Sequence, residues 1–136
     1  MGSRRSARIL ALQDLYQLDI SGRPPEEVVS FSWVEKQHDP STLEFARGLI
    51  AGTCAHLQEI DRIIARQLEH WDLKRVSYVD RAILRFSTYS LLYQDDIPDT
   101  VIINEAVDIA KIFGTDDSYR FVNGVLDGIR KEKERG

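Results

Sequence analysis

The stretch VDRAILRFSTYSLLY, residues 79–93, decides how the chain is read. At about 100° per residue, Val79, Ala82, Ile83, Phe86, Tyr89, Ser90 and Tyr93 gather on one side of a helix. That side predicts a core face. Asp80, Leu84, Ser87 and Leu91 lie about 80–140° from Val79 and form a second, partly apolar ridge. Such a ridge either packs against another part of the chain or docks a protein partner. Immediately upstream, Ser77 and Asp80 stand three residues apart, the spacing of a helix-opening capping box.

The same helical periodicity recurs on both sides, and no strand-type alternation interrupts it. A first helix is expected over Ser6–Ile20, stopped by SGRPP, and a second from Pro25 to the HDP at residues 38–40. Ser41, with Glu44 three residues on, predicts a third helix. Its stripe of Leu43, Ala46, Ile50, Cys54, Leu57, Ile60, Ile64 and Leu68 predicts one continuous helix over 41–69, roughly 43 Å long. Gly48 and Gly52, each unfavourable in a helix, point to a close crossing. DDIPDT ends the helix at 79–93, because proline restricts the residue before it. VIINEAVDIAKIF follows, with Gly114 as its cap. TDDSYRFVNGVLDGIRKE is the last helix; Asp116 and Asp117 suit its start, and Gly124 points to close packing. The expected fold class is all-α, with about six to seven helices in two small packed bundles. One domain covers 1–136, its N-terminal bundle about 1–72 and its C-terminal bundle about 76–136.

Several function classes find no support. No apolar run approaches the ~20 residues of a membrane span, and no signal-peptide pattern opens the chain, so a cytoplasmic location is expected. The single cysteine, Cys54, cannot make an internal disulfide, and its place on an apolar stripe suits an inert core thiol. His38, His56 and His70 lack metal-ligand spacing. No nucleophile elbow or phosphate-cradling glycine loop is present, so no enzyme and no cofactor is expected.

Charge is distributed unevenly in a chain of net charge -4. Arg4, Arg5 and Arg8 make the start cationic, Arg130, Lys131, Lys133 and Arg135 make the end cationic, and the body between is acidic. The C-terminal cations suit the negative end of a helix dipole. The N-terminal arginines oppose it, at a cost of about 0.3–1 kcal/mol each, so intrahelical stability does not explain them. They are expected to overhang the body or to form a mobile arm. There they are either a frayed terminus or phosphate contacts, with Tyr16 able to stack on an unpaired base. Tyr119 and Arg120 are further candidates on the last helix.

RRSARILALQDLYQ, FARGLIAGT, VDRAILRFSTYSLLY, IPDTVIINEAVDIAKIFG and DDSYRFVNGVLDGI, in that order, closely resemble the NusB family of bacterial transcription antitermination factors. The resemblance runs from Arg4 to about Arg130. It implies an all-helical fold without catalytic activity. It also implies binding of single-stranded boxA RNA in ribosomal RNA leaders together with NusE, a small-subunit ribosomal protein. Further partners would be NusA, NusG and RNA polymerase, and some family members self-associate as homodimers. By position, the implied RNA-binding residues are Arg4, Arg5, Arg8, Gln13 and Tyr16 on the first helix, and Asp117, Ser118, Arg120 and Phe121 at the last. The implied NusE contact is the ridge of Asp80, Leu84, Ser87 and Leu91. The chain departs from the family at Ser90, where a glutamate often stands. A NusB-like RNA-binding module, as precedes some ribosomal RNA methyltransferases, or a homo-oligomeric helical adaptor are the alternatives.

Overall fold

A computed structural model describes residues 3–22, 38–69 and 72–135. The helix expected from Pro25 lies outside them. Among the described residues there are six α-helices and no strand: α1 (Ser3–Ser21), α2 (Pro40–Ala55), α3 (Leu57–Ala65), α4 (Tyr78–Tyr93), α5 (Asp99–Phe113) and α6 (Ser118–Arg135), with a 3₁₀ turn at Leu73–Arg75 before α4. The all-α expectation holds.

The helix ends follow local chemistry. α1 stops at Gly22, whose φ of 71° is a left-handed conformation that glycine adopts without strain; its N–H reaches Leu18 O at 3.0 Å. α2 is capped two residues earlier than expected. Asp39, not Ser41, accepts from the Thr42 N–H at 2.8 Å, and Pro40 takes the first helical position. The hydroxyls of Ser41 and Thr42 also donate to Asp39, and these hydrogen bonds hold its carboxyl below the usual carboxylate range. α4 opens as predicted, Ser77 accepting from the Asp80 N–H at 3.2 Å.

The single helix expected over 41–69 is instead two. His56 breaks it, with φ −116° and ψ 22°, while its N–H still bonds Gly52 O and Thr53 O. The His56 ring stacks on Tyr93 of α4, centroids 4.2 Å apart, so the bend is fastened to the neighbouring helix. Both segments keep their apolar stripes buried, with Leu43, Ala46 and Ile50 on α2 and Ile60 and Ile64 on α3. Of the glycine pair, only Gly52 lies at a close crossing: a Cβ there would overlap the Tyr89 ring, whereas Gly48 faces open space. Gly124 is likewise open, and the tight approach on α6 is Gly128 against Gln67.

α4 is the central element. It packs against each of the other five helices, and its turns from Ala82 to Leu91 are almost wholly buried. Phe86, Ile83 and Leu84 join Leu49 and Ile50 of α2, Ile60 and Ile64 of α3, Ile102 and Ile109 of α5 and Leu126 of α6 in one hydrophobic cluster. Each such side chain contributes about 1.5–3 kcal/mol by burial. The ridge of Leu84, Ser87 and Leu91 belongs to this cluster's surroundings, so its packing reading is the correct one. Leu84 is 0% exposed, Leu91 1% and Ser87 2%, and these side chains offer nothing to a partner. Ser90, also buried, donates to Gln94 Oε1 at 2.6 Å, an internal contact.

Charged groups tie the same helices together. Arg85 of α4 forms two parallel bonds with Asp61 of α3 at 2.8 and 2.9 Å and reaches Asp19 of α1 at 2.9 Å. Arg81 approaches Asp19 from the next turn, Nε to Oδ2 at 3.2 Å. This fork geometry favours arginine over lysine at position 85.

Candidate nucleic-acid interface

The three N-terminal arginines have three different fates. Arg5 donates from Nε and Nη2 to both oxygens of Glu105 at 3.0 and 2.7 Å, and from Nη2 to Asp108 at 2.7 Å. The hydrogen bond to Glu105 raises its pKa, and the same bond lowers that of Glu105. Arg8 is buried, 3.8 Å from Glu105; burial pulls its pKa down, and Arg4 and Arg5 add to this against Glu105. Arg4 alone is exposed, its guanidinium 4.3 Å from the centroid of the Phe45 ring. Arg4, Ser41, Glu44 and Phe45 line a shallow cleft of about 430 Å³.

This corrects the expectation of an overhanging or mobile arm. The start of α1 is helical and clamped onto α5. Positive charge at the dipole's positive end is tolerated because two α5 carboxylates neutralise it.

The other expected RNA residues, Arg120 apart, line two neighbouring clefts. Gln13, Tyr16 and Gln17 of α1 meet Val79 of α4 and Phe113 of α5 around about 430 Å³, with Leu12 and Asp14 also lining it. Asp117, Ser118 and Phe121 meet Ser77 and Asp80 of α4 around about 310 Å³, with Arg75, Val76 and Thr115. The clefts are adjacent along two elements, Val79 next to Asp80 on α4 and Phe113 near Thr115 after α5. Tyr16 and Phe113 are exposed aromatics at this surface, 38% and 40%. Ser118 is a structural member: it is buried, and its hydroxyl accepts from the Thr115 N–H at 2.9 Å. Asp117 and Arg120 are exposed and Phe121 is half-buried. Arg120 and Lys111 approach the Tyr119 ring at 5.3 and 5.2 Å, placing two cations beside one aromatic.

Asp14 is unusual here. It is buried, its Oδ2 has no hydrogen-bond partner, and burial pushes its carboxyl up to about 7.

The NusB family model matches residues 5–131 of the chain. The chain belongs to the NusB family. It is 56% identical over 130 residues to the transcription antitermination protein NusB of Treponema pallidum (strain Nichols), covering 94% of this chain and 92% of that protein. In three dimensions it resembles T. maritima NusB, with a TM-score of 0.89 at 41% identity over 97% of this chain and 95% of that one. It also resembles a chain in a crystal structure of antitermination factors NusB and NusE in complex with dsRNA, with a TM-score of 0.85 at 30% identity over 96% and 97%.

Within this NusB-family chain, Asp80 changes company. It was expected with the partner-docking ridge, but the rest of that ridge is core, and Asp80 lines the cleft of Asp117, Ser118 and Phe121. Asp80 is itself buried, with its Oδ1 unpartnered, at the edge of that cleft. Sequence reasoning passed over Phe113, which lines the cleft of Tyr16, and Tyr78, whose ring packs against Tyr16. The available signal was an aromatic off the core face: Tyr78 lies about 100° from Val79 at the very start of α4.

Proposed function

We propose that this chain is a transcription antitermination factor. It binds single-stranded boxA-type RNA of ribosomal RNA leader transcripts together with NusE, and acts with NusA, NusG and RNA polymerase to keep transcription of ribosomal RNA operons processive. The observation that supports this best is convergence. Two sets of residues about 100 positions apart in the chain, Gln13 with Tyr16 and Asp117 with Phe121, line adjoining clefts. Exposed aromatics there suit unpaired bases, which stack on such rings. Arg75 at one cleft, Arg120 and Lys111 around Tyr119, and Arg4 at the start of α1 suit phosphates.

Arg5 and Arg8 take a different role in this reading. They hold α1 against α5 and so fix Gln13 and Tyr16, two and three turns further on. The acidic body suits a basic ribosomal protein, because complementary fields speed encounter. The test is fluorescence anisotropy of a labelled boxA-like RNA at low salt, with and without NusE. Binding that tightens when NusE is added is expected. No binding in either arm overturns the proposal.

A further inference from the structure

Tyr78 lies where chain neighbours line both clefts, and its ring packs on Tyr16. Ser77 and Asp80 line one, Val79 lines the other, and Tyr78 is the first residue of α4 among them. Its side chain is 44% exposed although it sits next to the core. A large aromatic left open to water is informative when something holds it there.

Two contacts fix the ring. Tyr16 meets it edge to face, centroids 6.1 Å apart and planes at 74°. The Arg81 guanidinium lies 4.8 Å from its centroid. Arg81 is immobilised in turn, by Asp19 at 3.2 Å and by donation to Leu73 O at 3.4 Å. The Arg81 side chain is largely buried, so this cation serves the ring and not a phosphate.

We propose that Tyr78 is a nucleobase-stacking residue of this chain, spanning the gap between the cleft of Tyr16 and the cleft of Phe121, with Arg81 and Asp19 as its positioning pair. The inference rests on the RNA reading above. It adds a contact that joins the two halves of that face into one path for an unpaired strand. Stacking on a tyrosine ring is tolerant of base identity, since every base has a π-face. It requires the base to be unpaired.

The test measures anisotropy of a labelled 12-nucleotide single-stranded RNA of mixed sequence on the full chain. Y78A is expected to weaken binding by about 5- to 150-fold, the value of one base–aromatic stack. Y78F, which keeps the ring, should stay within about twofold of the parent. The salt slope of Y78A should match the parent's, because no phosphate contact is lost. The same RNA annealed to its complement should bind Y78A and parent alike. R81M should weaken single-strand binding in the parent but not in the Y78A background, as a positioning residue must. Circular dichroism checks folding, and Y78L, bulky without a ring, replaces Y78A if Y78A does not fold. If Y78A and Y78L bind the single strand as tightly as the parent while Tyr16→Ala binds weakly, the RNA face stands and the role of Tyr78 is refuted. The same holds if Y78A loses only the basic protein partner. If the parent binds no RNA, both the face and this inference fall.

Discussion

Asp14→Asn separates the cost of a buried carboxylate from every other effect of pH. In the unfolded chain the Asp14 carboxyl ionises near its ordinary 3.8; in the folded protein, burial holds it protonated up to about 7. The folded state therefore binds this proton more tightly, and stability falls as pH rises through that window. Above about 7 the loss is complete and the dependence levels off. A difference of about 3 in pKa, at about 1.4 kcal/mol each, makes the loss about 4 kcal/mol. Asparagine has nearly the same shape and cannot ionise. Its own unmet hydrogen bonds shift the curve by a constant, not by a pH-dependent amount. Urea unfolding followed at 222 nm should show the stability of D14N relative to the parent rising by about 4 kcal/mol between pH 4 and pH 8, then staying flat. Parallel curves over that range would refute the reasoning, because they would mean that the carboxylate is solvated or paired in the folded state.

Three further outcomes follow from the contacts at the start of α1 and at the α2–α4 crossing. Arg5→Ala removes three hydrogen bonds from a partly exposed guanidinium and should lower unfolding free energy by about 1–2 kcal/mol in urea titration. Arg4→Ala touches no carboxylate clamp; it should leave the urea midpoint unchanged but flatten the salt slope of single-strand binding by about 0.7, one phosphate contact. Gly52→Ala forces the Tyr89 ring away from its neighbours His56 and Tyr93, and should cost about 1–3 kcal/mol by denaturant titration.

The helical class, the order of elements from α4 onward and the Ser77 cap were legible because each rests on local periodicity or a cap-to-N3 spacing. The break at His56 was not, since the stripe from Leu43 to Ile64 stays in phase across it; what bends the helix is a ring on α4, a contact of long sequence range. The ridge of Leu84, Ser87 and Leu91 shows the same limit. A helix wheel reports which residues are apolar, and it cannot report that a helix is covered on more than one side. The site was half legible. Gln13, Tyr16, Asp117 and Phe121 were named from the family's pattern, and the structure brings them to neighbouring clefts. The fate of the arginines was hidden in the pairing of Arg5 with Glu105 and Asp108, a hundred residues away.

That pairing changes what the basic start of the chain means. An arginine already neutralised by two carboxylates releases little when a phosphate arrives, because the phosphate must displace them. Arg5 therefore acts by holding α1 in register with α5, and through it the relation of Tyr16 to Phe113. The cations open to a strand are elsewhere, at Arg120, Lys111 and Arg4. The clefts carry aromatic side chains as well, Tyr16 and Phe113 at one and Phe121 at the other, with Tyr78 against Tyr16. On the proposed reading, recognition is by stacking on unpaired bases, with charge supplying attraction and register, on a face whose rigidity comes from α4 being almost wholly buried from Asp80 to Leu91.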